Sequence, residues 1–251
     1  MRVAFVGKGG SGKSAIAGTF ARLLARRGEP VLAVDSDPMP GLAFSLGLDI
    51  DDAPIPDEAV QERPEGEEGP RYRLVPGLTA ADAVERYAAT APDGVRFLQL
   101  GKLRGHASSL IRSQFALRQI MEELPEGRWS IVGDLPGGTR QLFFGWGDYA
   151  HTLVAVVEPT ATSLLAVRRL ARFPLSDGGP TEMVAVVNKV RSSDDVELVR
   201  RRTGLEVVGA VPWDEELAAA EREGQAPIDR APGSRAIEAV GSLITYLYKG
   251  G

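Results

Sequence analysis

Residues 3–18, VAFVGKGGSGKSAIAG, run a short apolar strand through a glycine-rich loop directly into a helix-forming segment. A turn this tight demands glycine where the backbone takes positive φ or must approach a ligand closely, and it leaves the backbone N–H groups of a helix N-terminus as an anion site. Two phosphate-binding patterns fit these letters. Gly7-x-Gly9-x-x-Gly12 is a dinucleotide fingerprint, and Asp35, closing the next apolar run, stands where such a fold places its ribose-binding acid. The alternative, a nucleoside triphosphate loop, assigns work to more residues. The N–H groups of Gly9, Gly10, Ser11, Gly12 and Ala15 cradle phosphates, Lys13 reaches the β- and γ-phosphates, and the Ser14 hydroxyl ligates Mg²⁺. The dinucleotide reading leaves Lys13 and Ser14 idle. A triphosphate site also wants an acid at the end of a second strand to hold the metal through water, and Asp134, ending SIVGD, supplies it. The opening stretch therefore reads as an ATP and Mg²⁺ site.

Apolar runs of strand length recur at residues 2–6, 31–35, 96–100, 130–133, 152–157, 183–187 and 206–210, most of them alternating with helical patterns. Continuous runs such as LVAVV and MVAVV suit parallel strands buried on both faces, so the expected class is α/β: a doubly wound, mainly parallel sheet flanked by helices. With 251 residues, 43% of them hydrophobic, one domain over 1–251 is expected. Residues 50–74, acidic and rich in Pro and Gly, read as an inserted surface loop. No run is long enough to span a membrane and no signal-peptide pattern opens the chain, which points to the cytoplasm. Cysteine is absent and only His106 and His151 are present, which excludes disulfides, thiolate chemistry and cysteine- or histidine-clustered metal sites. The net charge of −5 argues against a mainly electrostatic grip on nucleic acid.

Lys8-Gly9-Gly10-Ser11-Gly12-Lys13-Ser14 resembles the deviant Walker A motif of the MinD/ParA superfamily of P-loop ATPases, Lys8 being the additional signature lysine. VLAVDSDP and IVGDLPGG resemble its two switches, and Asn188-Lys189 and GAVPWDEEL extend the likeness toward the C-terminus. Within the superfamily the chain is most similar to the CooC-type accessory ATPases that insert nickel into carbon monoxide dehydrogenase, through VDSDP, GKLRG, VVEPTATSL and VPWDEELAAAEREG. It departs from them after GKLRG, where HASSLIRSQF lacks the Cys-x-Cys pair, so no cysteine-bridged metal can sit at a dimer interface.

The resemblance implies a nucleotide-dependent homodimer that sandwiches two ATP molecules, Lys8 of each subunit reaching the other's phosphates. It implies that Asp37 positions the attacking water, with Asp35 either contacting a metal-bound water or supporting the loop, and that Asn188, Val211 and Pro212 meet the adenine. Met39-Pro40-Gly41 and Ala15 depart from the polar residues common at those positions. Gly137-Gly138 resembles a γ-phosphate sensor, followed by an aromatic stretch, Leu142, Phe143, Phe144 and Trp146, that reads either as a dimer or client surface with Trp146 as its anchor or as core packing of the phenylalanines.

The implied function is an ATP-hydrolysing dimerisation switch acting on a client protein, with metalloenzyme maturation as one role. Two alternatives stay open: a ParA-like positioning ATPase using DNA or a protein cargo, and a non-hydrolysing nucleotide-dependent interaction module. DNA is not the favoured partner. The arginines at 168, 169 and 172 and at 200–202 are its best candidates, yet basic residues also complement helix C-termini. The C-terminal segment has apolar residues at 236, 237, 240, 243, 244 and 247 with few basic ones, which favours core packing over a membrane surface.

Overall fold

All seven apolar runs form strands in the computed structural model, which describes residues 1–37, 41–49, 55–100, 107–138, 142, 144–173, 175 and 178–249. They are β1 (Arg2–Gly7), β2 (Val31–Asp35), β6 (Arg96–Gln99), β7 (Ser130–Asp134), β8 (Thr152–Val157), β9 (Glu182–Val190) and β10 (Val207–Pro212). With a short antiparallel edge strand, β5 (Ala89–Thr90), they build one sheet in the order β10-β9-β8-β1-β7-β2-β6-β5. Every other pairing in this sheet is parallel. Because β1 and β2 are separated by β7, the crossover helices cover both faces and the sheet is doubly wound.

Alternate residues of each central strand serve different layers, as the pleat requires. Ala4, Ile131, Ala155 and Val157 belong to the layer covered by α3 (Ala80–Tyr87), α4 (Ala107–Glu123), α5 (Ala161–Leu170) and α6 (Ser193–Thr203). Phe5, Val132, Val154 and Val156 belong to the opposite layer, under α1 (Lys13–Arg26), α2 (Leu42–Leu46) and α9 (Arg235–Lys249). In α9, Ala236, Ile237, Val240, Leu243 and Ile244 are buried, so the apolar stripe is spent on the protein core. Among the described residues no helix is long and apolar enough to cross a membrane. The remaining helices, α7 (Glu215–Glu223) and α8 (Pro227–Arg230), follow β10 beside the carboxyl ends of the strands.

The stretch that reads as a surface loop carries more structure than its composition suggests. β3 (Val60–Glu62) and β4 (Tyr72–Leu74) pair antiparallel. Ile55, Val60, Tyr72 and Leu74 are buried against the α4 layer. The Leu74 N–H donates to Gln119 Oε1 at 2.7 Å, and Tyr72 meets Phe115 edge-on. The Pro-, Gly- and Glu-rich letters mark only the exposed tip between the strands. Residues 50–54 lie outside the described residues.

Candidate nucleotide-binding site

The carboxyl ends of β1, β2, β7 and β9 converge where the strand order reverses around β1, the position at which open α/β sheets hold ligands. Helix α1 begins there with no side-chain cap and no acid in its first turn, so its leading N–H groups are left for an anion. Gly12 takes φ +86°, and a Cβ there would overlap the Asn188 side-chain amide. Only glycine satisfies both demands. Lys13 is 8% exposed at the start of α1, and a cavity of about 210 Å³ opens over Gly10, Gly12, Lys13, Ser14 and Ala15.

Ser14 Oγ donates to Asp134 Oδ2 at 2.5 Å, joining the loop to the end of β7. Asp134 is paired in register with Asp35 on β2. Burial, then the Asp35 charge beside it, pushes the Asp134 carboxyl up to about 7, against the pull of Lys13. Burial raises Asp35 to about 6, although three backbone N–H groups oppose the shift. Those donors are Asp37 to Oδ1 at 2.9 Å, and Gly41 and Leu42 to Oδ2 at 3.0 Å each. Both Asp35 oxygens are therefore engaged in shaping the loop that enters α2, and the supporting role is the one its hydrogen bonds favour over metal contact. Asp37 is half-buried on that same loop.

Two buried polar atoms at this site have no protein partner: Ser11 Oγ and Asp134 Oδ1. Buried acceptors are costly unless something satisfies them. Together with the uncapped α1 N-terminus and Lys13, they fit a triphosphate with its Mg²⁺. Ser14 and Asp134 are the oxygen donors available to the cation, directly and through water.

The second switch packs on the phosphate loop. The Gly138 N–H donates to the Gly7 carbonyl at 3.2 Å, and a Cβ on Gly137 would lie 2.8 Å from the Gly9 nitrogen. A side chain at 137 would thus part the two segments. Residues 139–141 and 143 lie outside the described residues, as do 38–40, including Met39 and Pro40, and the whole of GKLRGH at 101–106. Trp146, expected as a surface anchor, is instead packed in the core at 7% exposure, and Phe144, one of the phenylalanines read alternatively as core, is 49% exposed. Lys8 is exposed, and among the described residues its ammonium donates only to the neighbouring Gly9 carbonyl, at 3.3 Å.

Asn188 is buried at the end of β9 and donates Nδ2 to the Ser11 carbonyl at 2.8 Å. It also lines a small cavity with Val211, Pro212, Trp213 and Asp214, so the three residues assigned to adenine share one hollow behind the phosphate loop. Asp214 shapes it by capping α7 through its bonds from the Glu216 and Leu217 amides.

Sequence reasoning missed Lys189 and Trp213. Lys189 holds φ +60°, donates to the Gly10 carbonyl at 3.1 Å and pairs with Glu158 at 2.5 Å. Trp213 lies under the Arg191 guanidinium and donates its indole N–H to Glu215. The Asn-Lys pair at a strand end was a signal for Asn188, but nothing local marks Lys189 as the residue that grips the loop.

A glycine-rich phosphate cradle between β1 and α1, at the carboxyl ends of a doubly wound parallel sheet, defines a P-loop nucleotide-binding protein. The chain belongs to the family described as the CobQ/CobB/MinD/ParA nucleotide binding domain, which matches residues 3–228. It is 28% identical over 256 residues to an uncharacterised ATP-binding protein of Methanocaldococcus jannaschii, covering 99% of this chain and 98% of that one. It is also 28% identical over 244 residues to the carbon monoxide dehydrogenase accessory protein CooC of Rhodospirillum rubrum, covering 94% and 92%. Among solved structures, the cell division ATPase MinD of Pyrococcus furiosus matches with a TM-score of 0.72 at 20% identity, covering 100% of this chain and 99% of that one. The fold class and the MinD/ParA and CooC resemblance read from the motifs agree with these relatives.

Proposed function

We propose that residues 1–251 act as one cytoplasmic unit that binds and hydrolyses ATP and uses it to switch a homodimer acting on a client protein. The observation that carries the reading is the pair of buried, partnerless oxygens, Ser11 Oγ and Asp134 Oδ1, beside Lys13 and the Ser14–Asp134 bond. Ser11, Lys13 and the loop amides bind the phosphates, Ser14 and Asp134 hold Mg²⁺, and Asn188, Val211 and Pro212 receive the adenine. Mg²⁺ bound there neutralises phosphate charge as it builds during transfer. Support for this cofactor pair also comes from the MinD of Pyrococcus horikoshii, a structural neighbour described in complex with Mg-ADP. Asp37, on the loop held by Asp35, aligns the attacking water.

Lys8 supplies the switch. Its ammonium is exposed and makes only a local bond within its own subunit, as suits a charge completed by a partner subunit. A lysine that arrives on dimerisation makes hydrolysis conditional on assembly. By likeness to CooC the client is a metalloenzyme, and with no cysteine in the chain the metal would not travel on its thiolates.

The test is light scattering without nucleotide, with ADP, and with ATP on Asp37→Ala, with Lys8→Ala in parallel and phosphate release measured on the unaltered chain. A dimer seen only with ATP and lost in Lys8→Ala supports the switch. A monomer that binds ATP under every condition refutes the sandwich, and a dimer without phosphate release would leave a non-hydrolysing module.

A further inference from the structure

Helices α5 and α6 stand side by side on the sheet face opposite α1, and a continuous trough runs between them. Its upper part, about 410 Å³, is lined by Pro159, Leu164, Leu165, Leu198 and the stems of Arg168 and Arg202. Its lower part, about 560 Å³, shares Arg168 and Arg202 and adds Arg172, Arg201 and the helix end at Gly204. Leu165 is 49% exposed on the rim, where with Leu164 and the half-buried Leu198 it forms the apolar lining. Arg168, Arg172, Arg201 and Arg202 are all exposed, and none makes an ion pair with a described carboxylate. Their neighbour Arg200, by contrast, pairs with Glu197 at 2.8 Å.

Complementing the helix dipoles accounts for basic residues in the last turns of α5 and α6. It does not account for an apolar trough that leads into them. Four guanidiniums that pair with no described carboxylate, in a chain of net charge −5, form a local site of opposite sign to the whole. A long polyanion running along α6 from its basic last turn would pass toward Asp194 and Asp195 in its first turn, the wrong sign for phosphates. The apolar half has no use for a nucleic acid backbone either. A short segment with leucine-like side chains at one end and carboxylates at the other satisfies both halves.

We propose that the α5–α6 trough docks an acidic, apolar-bearing segment of a protein partner, its apolar side chains against Leu165 and Leu198 and its carboxylates on Arg168, Arg172, Arg201 and Arg202. The proposal rests on the function above only in naming the client's chemistry. Its position connects it to the nucleotide. Pro159, at the head of the trough, follows Glu158, which holds Lys189 on the Gly10 carbonyl of the phosphate loop. A segment seated there lies one residue from a contact that steadies the loop, so occupancy and nucleotide binding can influence each other.

The test uses the full chain and a short fluorescein-labelled peptide of alternating leucine and glutamate pairs, read by fluorescence anisotropy at low and at moderate salt. An oligoglutamate, a leucine-lysine peptide and a duplex DNA serve as controls. The expected result is that only the leucine-glutamate peptide binds well, salt weakens it, and both the Arg168→Glu/Arg202→Glu pair and Leu165→Ser lower its affinity by about tenfold or more. A thermal melt of each variant that matches the unaltered chain confirms that the fold is intact, and binding of a fluorescent ATP analogue is read separately. No peptide binding at millimolar concentration overturns the proposal. Duplex DNA binding lost in the arginine variant but indifferent to Leu165 overturns it in favour of nucleic acid. Arginine-sensitive peptide binding in a chain that binds no nucleotide would uphold the trough and refute the proposed function, whereas nucleotide-dependent dimerisation without peptide binding would do the reverse.

Discussion

The side-chain nitrogen of Asn188 lies 2.8 Å from the Ser11 carbonyl, joining the end of β9 to the phosphate loop across 177 positions of sequence. The same side chain fills the space that a Cβ on Gly12 would need, so the end of β9 and the phosphate loop are one mechanical unit. Asn188→Ala leaves a buried carbonyl without its donor and should cost about 1–3 kcal/mol of stability. Asn188→Asp should do worse for nucleotide, since it places a negative charge behind a phosphate cradle. Calorimetric titration with ATP and thermal unfolding separate the two effects: Ala lowers both, while Asp lowers affinity more than its loss of stability explains.

Asp35 and Asp134 face each other across neighbouring strands with carboxyls raised to about 6 and about 7. Because each binds its proton more tightly folded than unfolded, their contribution to stability is fully present below the unfolded value of about 4 and is lost as pH rises through about 6 to 7. The nucleotide-free protein in chelator should therefore show a falling urea midpoint between pH 4 and pH 7 from this pair, and Asp134→Asn should flatten that slope. A midpoint in the Asn variant that still falls as in the unaltered chain would show that the pair is not its source.

Lys189 grips the Gly10 carbonyl while paired with Glu158, both side chains less than one-third exposed at 31% and 21%. Lys189→Ala should destabilise the fold by only about 1 kcal/mol, in keeping with a partly exposed pair. Its effect on nucleotide should be larger, since a loosened loop must be reordered on binding. Lys189→Gly relieves the left-handed backbone without restoring the grip, so it should recover stability and leave the affinity defect. Equal recovery of both would assign the defect to backbone strain.

Gly133 has no side chain where the Tyr149 hydroxyl lies, directly behind the strand end that carries Asp134. Gly133→Ala overlaps that hydroxyl and should destabilise by roughly 1–3 kcal/mol. Tyr149→Leu, which clears the space, should rescue most of the loss in the double variant, a non-additivity expected only of residues in contact. Thermal melts of the four proteins measure it.

The seven long strands were legible because parallel strands buried on both faces must be continuously apolar. β3, β4 and β5 were not, since pairings of two or three residues leave too few letters to show a period. The hairpin at Val60 and Tyr72 was further hidden by its tip, whose proline, glycine and glutamate dominate the local composition. At the site, chemistry alone named Ser14 and Asp134 together, and the structure hydrogen-bonds the two. Asp35 could not be resolved between metal contact and loop support, because the answer depends on where the Asp37, Gly41 and Leu42 amides point. Trp146 beside glycines reads as a surface anchor, and only its burial shows it to be core, because no local pattern tells which aromatic of the stretch turns inward.

Taken alone, the letters of this chain determined the strand–glycine loop–helix cradle, the alternating α/β order and the absence of thiolate chemistry, because steric freedom at glycine, burial periodicity and donor inventory are local properties. The tertiary structure decided what lies against what: Asp35 beside Asp134, Asn188 under Gly12, Lys189 on Gly10, and the arginines of α5 and α6 around one trough. Those contacts depend on strand order and helix crossover, which bring together residues that no local pattern links.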